Sequence, residues 1–173
     1  DISARSRAKT ALPITEVKVP AMFTKTDVSL GIMHKLKRVV YSVCLAKHLK
    51  KLLRKAGDEV VLHFHNQYNL FFALKLIPQK LLKKATVVYT VHSYIWHGNW
   101  DEIAADINKR YFQELYCLEH ADAVCVLNEN TQKNIIAHTK VSAEQVYLMV
   151  NGVNTQVYRP LESAEKDEIK AQH

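Results

Sequence analysis

"TVVYTVHSYIWHGNW" (residues 86–100) decides how this chain is organised. Its first half is β-branched and apolar almost without a break, the pattern of a strand buried on both faces, and it stops at His92. The second half holds two tryptophans, a tyrosine, a second histidine and a glycine. A loop has to satisfy its own backbone polar groups, so it is a poor place to pack a core, and these side chains read as a binding surface.

Three similar runs lie on either side: "EVVLHFH" (59–65), "ADAVCVLN" (121–128) and "QVYLMVN" (145–151). Between them come helical patterns, "NLFFALKLI" after the first, "DEIAADINKRYFQELYCLEH" after the second and "ENTQKNIIAHT" after the third. Strand and helix alternating at this spacing indicate right-handed crossovers in a parallel sheet. The expected fold is α/β, a Rossmann-like three-layer sandwich whose mostly parallel sheet includes residues 60–64, 86–91, 123–127 and 146–150.

Upstream, "GIMHKLKRVVYSVCLAKHLKKLLRKAG" places Leu36, Val39, Val40, Val43, Ala46, Leu49 and Leu53 on a helical stripe closed by Gly57. Lys47, Lys50, Lys51, Arg54 and Lys55 crowd its far end. Such cations suit a solvated helix C-terminus and would also suit an anionic bilayer surface, and both readings stay open. "EVKVP" (16–20) is read as one more strand, and residues 1–12 as irregular.

The 173 residues, 48% of them hydrophobic, are enough for one domain with a substantial core. A net charge of +7 and a pI near 9.3 favour phosphate-bearing ligands, an anionic membrane or nucleic acid without choosing among them. Cys44, Cys117 and Cys125 are odd in number and sit in apolar surroundings, as buried thiols of a reducing compartment do. No apolar run approaches the ~18–20 residues of a membrane span and no signal segment stands at the start, so a cytoplasmic location is expected.

In parallel sheets ligands gather at the carboxyl ends of the strands. Here those ends read "HFHN", "VHSYIWHG", "LNEN" and "VNGVN", so polar and histidine-rich residues fall on one edge four times. His63 and His65, at i and i+2, could share a metal, with His92 and His97 as further ligands, so a metallohydrolase has to be considered. The residues that follow are Asn66 and Gln67, where an acidic ligand would be expected, and a (β/α)₈ host needs ~200 residues or more. His92 ends a buried strand where a loop begins, beside Ser93, Tyr94 and Trp96; rings next to donors and acceptors hold sugars and can also stack a base. The four glycines are isolated, so neither a dinucleotide fingerprint nor a P-loop is present.

Taken in order, these segments resemble the N-terminal domain of a GT-B-fold retaining glycosyltransferase of the family 4 and glycogen-synthase-like kind. "EVVLHFHN" resembles the family's strand ending in His-x-His-Asp, and "YTVHSYIWHG" its Thr-x-His-Asn or Thr-x-His-Asp segment. "CLEHADAVCVLNENTQKNI" is similar to the helix, strand and helix that come next, and "VYLMVNGVNTQVYRP" to the Asn-Gly-Val-Asp stretch leading into the second domain. Asn66 and Asn154 stand in place of the usual Asp, Asn128 stands where Ser is common, and no strand with a glycine-bearing loop is found before residue 31.

The resemblance implies an acceptor-side domain over residues 1–160. Residues 161–173 would be a linker and the first helix of a donor-binding domain whose remainder these residues do not contain. It implies that a UDP- or GDP-linked hexose is transferred to a glycan, lipid or small-molecule acceptor, with retention and without a metal or other cofactor. His92 would be the catalytic contact to the sugar, with His65, Asn66, Ser93, Tyr94, Trp96, His97, Asn128 and Asn151 binding substrate. No nucleic-acid partner is implied. A non-catalytic glycan- or lipid-binding module of the same fold is the alternative, with the metallohydrolase behind it.

Overall fold

The computed structural model describes residues 17–20, 32–57, 59–149 and 152. Their order is α1 (Ile32–Lys55), β1 (Val60–Phe64), α2 (Gln67–Leu76), α3 (Gln79–Leu82), β2 (Ala85–Thr90), α4 (Trp100–Arg110), α5 (Phe112–His120), β3 (Ala123–Val126), α6 (Glu129–His138) and β4 (Val146–Leu148). A 3₁₀ turn, Tyr94–His97, follows β2, and another, Ala143–Gln145, precedes β4.

All pairings are parallel and run β1-β2-β3-β4, with Val60 opposite Ala85, Val88 opposite Ala123 and Val124 opposite Val146. The chain is therefore α/β and Rossmann-like, and the four strands expected in the sheet are present in the expected parallel orientation. The core lies on one face, where Phe64, Val87, Tyr89, Val124, Val126 and Val146 meet Leu70, Ala73, Ile107, Leu118 and Ile135. Burying such aliphatic side chains contributes roughly 1.5–3 kcal/mol each before chain entropy is counted.

Several expectations are corrected. β1 is not buried on both faces: Val61 is 63% exposed and His63 is exposed too, because β1 is the edge strand among the described residues and its second face is uncovered. Tyr147 in β4 is exposed for the same reason on the opposite edge. Helix α1 buries Ser42, Ala46 and Leu53, with Leu45 and Leu49 partly covered, while Leu36 and Val39 of the predicted stripe face outward. Its contact is with α2, where the Ser42 hydroxyl lies 3.0 Å from Asn69 Oδ1, so a polar residue occupies the packed seam.

The long helical pattern after β2 is two helices. They break at Tyr111 (φ −115, ψ 19), whose N–H returns to the carbonyls of Asp106 and Ile107. Pro78 ends the pattern after β1 and starts the short α3. Residues 17–20 form no strand, contrary to the reading of "EVKVP". The irregular start (1–12), Asn151, Asn154 and the boundary at 160/161 lie outside the described residues.

Candidate functional site

Each of the first three strands hands its next residues to a helix or turn start, and this is what arrays polar groups along one edge. Asn66 caps α2: its Oδ1 accepts the N–H of Tyr68 (3.0 Å) and of Asn69 (3.2 Å). Asn128 caps α6 in the same way, accepting from Thr131 N–H at 2.9 Å. Ser93 caps the 3₁₀ turn through Ile95 N–H. Three of the expected binding residues therefore carry a structural task, and the two asparagines keep a second polar atom, Nδ2, outside the cap.

For Asn128 the free atom has a partner. With Oδ1 held by the helix start, Nδ2 points outward and donates to His97 Nε2 at 2.7 Å. His97 must then carry its proton on Nδ1 when neutral. Tyr94 stands beside it, ring centroids 5.5 Å apart, and is 85% exposed.

The parallel register brings the ends of β1 and β2 together, and the exposed His65 and His92 bond directly, Nδ1 of the first to Nε2 of the second at 3.0 Å. One proton serves both rings. If both rings are in the Nε2–H form, His92 donates and leaves its Nδ1 bare as an acceptor; if both are in the Nδ1–H form, His65 donates and His92 presents a donor. Either way the outward nitrogen of His92 can meet a hydroxyl. Behind the pair, the His63 ring lies against His65, centroids 4.4 Å apart and planes tilted by 34°, and its Nε2 lies 2.7 Å from Thr90 Oγ1. Although His63 as a residue is exposed, the enclosure of its ring and then the neighbouring His65 lower its pKa. No three His, Cys, Asp or Glu side chains among the described residues converge as metal ligands.

Trp96, expected to bind substrate, is instead completely buried. Its ring stacks toward Trp100 (6.4 Å), which lies flat on His138 of α6 (4.0 Å, 4°). Asn134 of α6 donates to the carbonyls of Trp96 (2.7 Å) and Gly98 (3.1 Å), so the turn is pinned from α6. An indole in the core fixes the loop, and Tyr94 and His97 are the side chains left on its outer surface.

The residue missed from sequence is Glu114, wholly buried in α5 and forming the floor of a hollow lined by Arg38, His65, His92 and Ser93. The Tyr89 hydroxyl donates to its Oε1 at 3.0 Å. Ser93 and Trp96 approach the same carboxyl and favour its charged form, without closing a regular hydrogen bond to Oε2. Burial outweighs them and raises the Glu114 pKa. Burial, and next the Glu114 charge, push the Tyr89 phenol and the Cys117 thiol upward as well, so both stay protonated. A signal was available: Glu114 shares the apolar stripe of Ile107, Cys117 and Leu118, where a carboxylate has no reason to be unless something binds it.

Residues 18–157 match Glycosyltransferase Family 4. The chain belongs to that family. No curated protein matches it. In this family 4 domain the matched span runs from before α1 to beyond β4, so every side chain of the His65–His92 and Asn128–His97 pairs lies inside it.

Proposed function

We propose that this family 4 domain is the acceptor-side half of a nucleotide-sugar-dependent retaining glycosyltransferase, acting with a donor-binding domain that holds a UDP- or GDP-linked hexose. The observation that carries the reading is the direct His65–His92 bond at the carboxyl edge of the parallel sheet. It fixes the ring of His92 while leaving its other nitrogen turned to the site. Charge developing on the sugar in the transition state would find His92 held in place, and a positioned group of this kind contributes several kcal/mol.

His65 holds that ring, Asn66 offers the Nδ2 its cap leaves free, Ser93 offers the hydroxyl that also caps the turn, and Tyr94 and His97 form the outer wall for a glycan or lipid acceptor. Asn128 sets the orientation of His97, and Asn151 would extend the edge past β4. The chemistry needs no metal, and the domain would work in the cytoplasm. None of the helices among the described residues is long and apolar enough to cross a membrane. Lys47, Lys51, Arg54 and Lys55 are exposed on α1 and Lys50 half-buried, which supports contact with the anionic cytoplasmic membrane face.

The test is His92→Ala in the full-length enzyme carrying this domain. Turnover is expected to drop by ~10²-fold or more with the fold retained. Undiminished turnover would reduce His92 to a structural residue, whereas no turnover in the parent enzyme would leave a non-catalytic glycan- or lipid-binding module as the better description.

A further inference from the structure

The hollow floored by Glu114 is not isolated. It holds about 250 Å³ and adjoins a second of about 320 Å³ between α1, α2 and the start of α5. Arg38 and Tyr68 line both, and the Arg38 guanidinium carbon lies 5.1 Å above the Tyr68 ring, so this pair is the wall the two share. Their linings differ in chemistry. The first is polar and ends at His65 and His92; the second is mainly apolar, with Val39, Tyr68 and Phe72. Lys35 and Arg38 flank the apolar one, and among the described residues neither enters an ion pair. His34 lines it too, and its Nε2 is shielded from solvent with no hydrogen-bond partner.

We propose that the acceptor is an anionic amphiphile, a membrane lipid with a phosphate-type head, whose head meets Arg38 beside the His65–His92 pair and whose chain lies against Val39, Tyr68 and Phe72. This rests on the acceptor-side reading above and names its substrate class. Two features favour a lipid over a glycan. A sugar chain would need donors and acceptors all along the second hollow, and beyond the cations only His34, Gln113 and the Tyr68 hydroxyl supply them. The outer side of α1 next to it exposes Ile32 (84%), Leu36 (43%) and Val39 (38%), a surface an interface would cover. The cations complement an anionic head, and charge-assisted bonds to it are about twice as strong as neutral ones.

The test is NMR titration of the isotopically labelled chain with dodecyl phosphate below its micellar concentration, alongside inorganic phosphate and the uncharged dodecyl maltoside. Dodecyl phosphate should saturably shift the signals of His34, Tyr68 and Phe72 and bind at least ~10-fold more tightly than either control. Arg38→Gln and Val39→Asp should each weaken it by about tenfold. Should Val39→Asp fail to fold, Lys35→Gln replaces it with the same expectation. Equal affinity for inorganic phosphate or for the neutral detergent, shifts confined to residues 47–55, or indifference to Arg38→Gln would each overturn the proposal. Binding is read without catalysis, so an inactive full-length enzyme would count against the transfer reaction alone.

Discussion

Tyr89→Phe removes the hydroxyl that donates to Glu114 inside the core, and its cost should depend on pH. Tyr89 is 2% exposed, Glu114 is 0% exposed, and the 3.0 Å bond joins them beneath the site. Burial raises the Glu114 pKa above its ordinary 4.5, so the folded chain keeps this proton longer than the unfolded chain does. The stability linked to it is fully present below that value and is lost as pH rises through the folded pKa. In the acid arm the bond joins neutral groups and is worth ~0.5–1.5 kcal/mol; once the carboxyl ionises it rises to ~1.5–3 kcal/mol.

Urea unfolding followed by circular dichroism at pH 4, below the ordinary carboxyl value, and at pH 8 should therefore show Tyr89→Phe costing more at the higher pH. Glu114→Gln keeps an acceptor of the same shape and cannot ionise. It should flatten the loss of stability with pH, and within that background Tyr89→Phe should cost ~1 kcal/mol at both pH values. An identical cost for Tyr89→Phe at both pH values in the parent chain would refute the reasoning, since the carboxyl would then not be titrating against this bond.

Gly98→Ala places a Cβ 2.9 Å from Ile103 Cγ2, a β-branched methyl with little rotamer freedom on α4, and should cost ~1–3 kcal/mol in thermal or urea unfolding. Asn128→Ala removes the α6 cap and the donor to His97; ~1 kcal/mol of stability should go, and the ¹⁵N shifts of His97 should move toward a solvent-like tautomer mixture. His65→Ala should do the same to His92 while leaving His97 unmoved, and an unchanged His92 spectrum would show that the two rings do not share a proton.

How much of this could be seen in the residues depends on distance along the chain. The strands announced themselves because each apolar run carries its own period, and their carboxyl ends fell on one edge because parallel order follows from the crossovers. His65 and His92 were both legible as strand-end histidines, yet their bond was not, since it depends on the β1–β2 register that sets Phe64 opposite Tyr89. Trp96 was misplaced because an aromatic in a loop looks the same whether it faces solvent or plugs the core; only the α6 contacts, 38 residues away for Asn134, decide it. Exposure of Val61 was hidden similarly, because a lone strand cannot say whether it lies at an edge. Glu114 was concealed by its helix, where a glutamate is ordinary unless the stripe beneath it is read position by position.

The pinning of the turn by Asn134, with Trp100 lying on His138, has a mechanical meaning for the site. The 3₁₀ turn that presents Tyr94 and His97 belongs by sequence to β2, but its carbonyls, its indole stack and the His97 ring are all gripped by α6 and its cap. The surface that would face a sugar thus rides on a helix one strand further along, as a plate bolted to a beam. A tilt of α6 would move that plate as one piece and leave the His65–His92 pair where β1 and β2 hold it. The spacing between the two clusters would then be set from α6, and a change at Asn134 or His138 would reposition Tyr94 and His97 without touching either.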